Sequence, residues 1–201
     1  MSDAKATRRK SAHEQKRQAL LGAAFEVFKA QGISGLTMRS VAVEAGYVAG
    51  AIYAYFPSRD AMLGELLVQS LTGLARIVKA AASGNDPPAD RLRRGVQAVC
   101  TYYSGNPHDL ELAAAAFAAL SPDLQRQVNG RLIGVLQPLA SALEQAAQIE
   151  ARAAERETVA LAAGILGTLL LDAAGRLAPL NQSGAAIVDH IIEGALRRLT
   201  R

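Results

Sequence analysis

Apolar positions recur at helical spacing along most of this chain. Leu21, Ala24, Phe25 and Phe28 stand at i, i+3, i+4 and i+7, which predicts a helix beginning near Lys16 and stopped by Gly32. Thr37 is the expected N-cap of a short second helix, because its hydroxyl can accept from an amide two or three residues on. Val41, Ala42 and Ala45 form the apolar stripe of that helix. Gly46 ends it, since glycine takes positive φ without a Cβ clash, and the chain restarts near Val48 with Ile52 and Phe56 inward at i, i+4. Ser58 then caps a long helix over 59–82, whose inner side is Met62, Leu66, Leu67, Leu71, Leu74 and Val78.

A loop over 83–88 reads Ser-Gly-Asn-Asp-Pro-Pro. Helices are expected after it over 89–104, 108–120, 123–148 (opened at Pro138, which lacks an amide proton), 153–177 and 185–199. Abundant Ala and Leu with few β-branched runs make the fold class all-α. Residues 1–15 carry Lys5, Arg8, Arg9, Lys10 and His13 without apolar periodicity, which predicts a flexible basic arm, either solubilising or laid along a polyanion.

The outer face of the second short helix is made of Ala49, Gly50, Tyr53 and Ala54. So small a surface contributes little to a core, but it can enter a DNA major groove, where bulk would hold the helix away from the base edges. The charge agrees. Residues 1–60 carry nine Lys/Arg against five Asp/Glu, and the remainder has thirteen of each sign, so the whole formal +4 lies around this motif.

The run Ala45-Gly46-Tyr47-Val48-Ala49-Gly50-Ala51-Ile52-Tyr53-Ala54-Tyr55-Phe56-Pro57-Ser58-Arg59-Asp60, with Ala23 to Phe28 and Gly32 upstream, resembles the DNA-binding domain of the TetR family of repressors. The resemblance covers about the first third of the chain. It implies an N-terminal helix-turn-helix domain over 16–74, with its motif at 37–56, and a C-terminal helical domain over 75–201 for ligand binding and dimerisation. It further implies that Thr37, Tyr53 and Arg59 hold phosphates, that Arg39 reaches a base edge, and that Tyr47, Ala49, Gly50, Ala51 and Tyr55 face the groove. Two positions depart from the common pattern: Val48 replaces a frequent Ser, which removes a hydroxyl cap, and Arg59 replaces a frequent Lys. With no Lys, Arg, Gln or Asn between Tyr47 and Pro57, readout must lean on Arg39, thymine methyls and DNA shape.

The terminal helices carry an apolar face beyond what one short chain needs. Val159, Ala163, Leu166, Leu170 and Ala174, with Gly164 and Gly167 permitting close approach, and Ile187, Ile191, Ala195 and Leu199 on the last helix, suggest a four-helix interface between two copies. Asp172 and Arg176 at i, i+4 could pair. By resemblance a small-molecule pocket lies within the C-terminal helices, and Cys100, Tyr102, Tyr103, Phe117, Leu120, Leu136 and Pro138 are its candidate lining. Low aromatic content and no cluster of charge in that lining favour an apolar, uncharged effector.

No catalytic spacing, phosphate loop or dinucleotide fingerprint occurs, and His13, His108 and His190 are too scattered for a metal site, so no enzyme, metal or cofactor is expected. Cys100 makes no intrachain disulfide, the first residues lack a signal-peptide core, and the apolar run over 159–171 is shorter than the roughly 20 residues of a span. The expected compartment is the cytoplasm and the expected partners are double-stranded DNA, a second copy and an effector. Two rivals remain at this point: an architectural DNA-binding protein without sequence preference, and a helical ligand carrier or enzyme.

Overall fold

The computed structural model describes residues 2–115 and 120–199, the side chains of residues 2–6, 198 and 199 excepted. Among the described residues there is no strand. The helices are α1 (Ser2–Gly35), α2 (Met38–Ala45), α3 (Ala49–Ile52), α4 (Arg59–Ala81), α5 (Pro88–Gly105), α6 (Pro107–Ala115), α7 (Pro122–Ala147), α8 (Ala151–Ala173) and α9 (Gly184–Leu199), with a 3₁₀ turn at Ala178–Leu180.

α1 starts at Ser2 rather than near Lys16, so the expected flexible arm is instead the first part of a helix. The stretch up to Leu21 holds no Gly or Pro and is rich in Ala, Lys, Arg, Glu and Gln, all good helix formers. Its missing apolar stripe means that it has no face to bury, and residues 7–16 are indeed exposed. At the other end Gly32 takes φ +65°, ψ −166°, which kinks the chain where the helix was expected to stop.

The chain divides into two compact units, and the division is not a single cut near residue 74. One unit is Met1–Gln69 together with Glu111–Arg126, and the other is Ser70–Leu110 with Gln127–Arg201. Within the first, Leu20, Ala24, Val27, Phe28, Val41, Ile52, Phe56, Met62 and Leu66 are buried. The start of α7 joins it because Gly64 leaves room: a Cβ there would collide with the Leu124 side chain and stand 3.1 Å from Leu120. Leu120 lies outside any helix, so the helix expected to reach it is described only to Ala115.

Within the second unit, Leu92, Val96, Leu139, Leu143, Leu161, Ile165, Val188 and Ile192 are buried. Gly95 of α5 sits against Leu139 and Ala82, and Gly164 of α8 against Ile191 of α9, where a Cβ would stand 3.2 Å from the Ile191 Cδ1. Pro138 is held inside α7. The expected Asp172–Arg176 pair does not form the main contact of Asp172. Its Oδ1 instead accepts from the Gly184 amide at 3.3 Å, which satisfies a donor at the start of α9. α4 has the length and composition of a membrane span, but Met62, Leu66, Leu67, Leu71, Leu74 and Val78 along it are buried inside the protein.

Candidate nucleic-acid interface

The motif is built from caps. Thr37 stands before α2 in extended backbone (φ −126°, ψ 158°), and its Oγ1 accepts from the Ser40 amide at 3.0 Å while the Thr37 amide donates to Ser40 Oγ at 2.8 Å. This reciprocal capping box uses Ser where Glu or Gln is usual. Gly46 closes α2 at φ +71°, and the Tyr47 amide returns to the Ala42 carbonyl at 2.8 Å. α3 is only four residues long and has no side-chain cap at Val48, in keeping with the missing hydroxyl. Two anchors hold it from within, Ile52 and Phe56, both fully buried. Ser58 caps α4 by accepting from the Ala61 amide at 3.1 Å.

What this scaffold presents outward is Ala49, Gly50, Tyr53 and Ala54, all exposed, with Ala51, Tyr47 and Tyr55 half-buried beside them. Arg39, on α2, is exposed. No Cβ neighbour lies within 4 Å of Gly50, so its surface faces open space. The surface is therefore small-small-Tyr-small.

Three expected contact residues are already engaged within the unit. The Thr37 hydroxyl serves the capping box. Arg59 donates from Nε to the Leu36 carbonyl at 2.6 Å and from its second terminal nitrogen to the Ile33 carbonyl. The Tyr55 ring stacks on His13, with centroids 4.6 Å apart and planes 28° from parallel.

His13 and Arg17 contact the motif, which their place in the sequence does not signal. Arg17 lies with its guanidinium 5.1 Å from the centre of the Phe56 ring and pairs with Glu65. They are i, i+4 on α1, a spacing that signals a shared face once α1 is known to extend that far.

The candidate ligand residues Cys100, Tyr102 and Tyr103 lie on α5, in the second unit. Tyr102 is half-buried and shares a hydrogen bond of 3.2 Å with the Ser70 hydroxyl, and its amide carbonyl accepts from Asn106 Nδ2 at 2.8 Å. Tyr103 is buried, and burial pushes its phenol well above the usual range. Burial also raises the Cys100 thiol, with Asp189 adding to the shift. Leu136 lines a separate open cavity of about 390 Å³ with Ile133, Ala140, Thr158 and Val159. Leu120 belongs to the first unit, and Phe117 lies outside the described residues.

Of the candidate dimer residues, Val159 and Ala163 are exposed, and Gly167, Leu170, Ile187 and Ile191 are half-buried. Ala195 is fully buried within one chain, and the Leu199 side chain lies outside those described. Among the described residues no group of three metal-ligating side chains occurs.

The geometry defines a helix-turn-helix head: two short helices joined through a left-handed glycine, the second offering a groove-sized face, backed by α1 and α4. Residues 20–66 match the profile of bacterial regulatory proteins of the tetR family, which identifies this segment as a domain of the tetR type. Over 71 residues it is 39% identical to the uncharacterized HTH-type transcriptional regulator YfiR of Bacillus subtilis (strain 168). That match covers 34% of this chain and 35% of YfiR, so it spans about a third of the curated relative's length. The fold is shared more widely. A tetR-family regulatory protein from Rhodococcus RHA1 superposes with TM-score 0.66 at 19% identity, covering 91% of this chain and 96% of its own. FadR of Bacillus subtilis, solved in complex with stearoyl-CoA, gives TM-score 0.65 at 16% identity, with 89% and 97% covered.

Proposed function

We propose that the protein is a homodimeric, ligand-responsive transcription regulator, a repressor that leaves a palindromic operator when a small molecule binds. The observation that carries this reading is the exposed Ala49-Gly50 face with Tyr53 at its edge, set on a capped and fully anchored turn. In this reading α3 enters the major groove, Tyr47, Ala49, Gly50 and Ala51 meet base edges and methyls, Arg39 supplies the direct hydrogen bonds, and Tyr53 and the Thr37 region meet phosphates. Two heads bind about one helical turn apart.

Dimerisation runs through the exposed side of α8, from Val159 through Ala163 to Leu170, together with Ile187 and Ile191 of α9. An effector that prefers a different spacing of the heads releases DNA by shifting that equilibrium, and α4, which passes from one compact unit into the other, is the element able to transmit it. The stearoyl-CoA complex of FadR makes long acyl chains the first class of apolar body to screen.

The test is selection of bound sequences from random duplex DNA, followed by a salt titration of the best duplex against a scrambled one. A palindromic consensus preferred by roughly a thousandfold, weakening steeply with salt, is the expected result. Equal affinity for both duplexes would establish an architectural protein instead.

A further inference from the structure

We infer that Arg59 is a positioning residue that clamps the α1–α2 connection and thereby sets the angle of the helix-turn-helix, and that it does not serve as a phosphate ligand. The inference rests on the DNA-binding reading above and refines it.

The connection needs a clamp. Gly32 breaks α1 with φ +65°, and the chain then runs through Ile33 to Leu36 before Thr37 caps α2. Carbonyls at a helix end lack intrahelical partners. The Ile33 carbonyl receives the Leu36 amide at a long 3.3 Å, and the Leu36 carbonyl is the last before the cap. Arg59, the first residue of α4 and far away in sequence, closes on both: Nε donates to Leu36 and a terminal nitrogen to Ile33. A planar guanidinium spans two acceptors in a fixed fork, which a lysine ammonium cannot do. Leu36, one of the two residues held, is fully buried. The clamp therefore ties the start of α4 to the strap from which α2, and with it Arg39 and the Gly46 turn, projects.

A side chain so held is half-buried and has Nε and one terminal nitrogen committed to carbonyls. Moving it to a phosphate would strip two carbonyls of their partner. By contrast Arg39 is exposed and carries no such commitment.

Three full-length variants, Arg59→Lys, Arg59→Ala and Arg39→Ala, are compared with the parent protein by titration of a mixed-sequence 40-base-pair duplex and of the selected duplex over a series of salt concentrations. Hydrogen exchange of the amides over 33–40 is measured without DNA. A clamp predicts that both Arg59 variants lose roughly tenfold or more in affinity for the selected duplex, with the salt slope of the parent kept and exchange over 33–40 accelerated. It also predicts that Lys fails to rescue, while Arg39→Ala lowers the salt slope by about one without changing exchange.

If Arg59→Lys restores affinity while Arg59→Ala lowers the slope by about one, Arg59 is a phosphate ligand and the inference is overturned. Unchanged affinity with a lowered melting temperature would make it a stabiliser only, which overturns it as well. Should Arg59→Ala not fold, the Lys variant alone separates these outcomes. Failure of the parent protein to bind either duplex overturns the DNA-binding reading, while the exchange experiment still decides whether the clamp exists.

Discussion

Arg17 lies over the ring of Phe56: the guanidinium stands 5.1 Å from the ring centre while the same group pairs with Glu65 of α4. One arginine thus joins α1, the residue that anchors α3, and α4. Replacing Arg17 with Met keeps much of the stem but leaves Glu65 half-buried without its cation. The expected loss is about 1–2 kcal/mol, read as a lower urea midpoint with an unchanged slope. A midpoint equal to the parent's would show that the pair is ornamental.

Glu65 also predicts a pH dependence. Burial pushes its carboxyl above the ordinary 4.5, and Arg17 only partly opposes this. The native state therefore holds the Glu65 proton more tightly than the unfolded chain does. Its contribution to stability is complete below about pH 4 and is lost as pH rises through the raised value. In Glu65→Gln that titration is gone, so the melting temperature of the variant should gain on the parent's as pH climbs out of the acid range. Parallel curves from pH 3.5 to 7 would refute the shift.

Two glycines a turn apart should behave oppositely. Gly46→Ala forces a Cβ into φ +71° and should cost about 1 kcal/mol although nothing crowds the site. Gly50→Ala sits in a helix with open space around it and should leave stability equal or slightly higher. In the proposed function the same methyl stands between the helix and the bases, so duplex affinity should fall for Gly50→Ala while thermal melting does not.

Gly95→Ala tests the core of the second unit. The new methyl would collide with Leu139 and stand 3.3 Å from the Ala82 Cβ, for an expected loss of about 1–3 kcal/mol. Calorimetry of the full chain would show it as a lowered transition, and an unchanged one would mean that the α5 contact is slack.

Val159 is 57% exposed in one chain, a large apolar side chain on the face proposed for dimerisation. Val159→Glu should convert a dimer to a monomer in light scattering with its helical circular dichroism kept. A mass unchanged by the substitution would place the interface elsewhere.

Most of the fold could be read from the sequence because helical spacing and punctuation coincide in it. Thr37, Gly46 and Ser58 each do what their chemistry dictates, and Ile52 and Phe56 are both at zero exposure. The start of α1 escaped because periodicity reports burial, and a helix with no buried face leaves no such mark. The partners of Arg59, Tyr55 and Arg17 escaped for another reason: each contact joins residues more than 20 positions apart, and spacing rules speak only of neighbours. Residue type alone does not say which side of a helix borders a cavity. Among the candidate ligand residues, Leu136 lines the open cavity between α7 and α8.

α3 has four residues and no capping side chain. A helix so short has no stability of its own, since it ends before nucleation is repaid. Its shape is lent by Ile52 and Phe56, which never reach solvent. Under the proposed function, a genetic screen for lost DNA binding would thus return substitutions at these two buried positions as readily as at Tyr53 or Gly50, and would record as recognition mutants proteins whose exposed α3 residues are all intact.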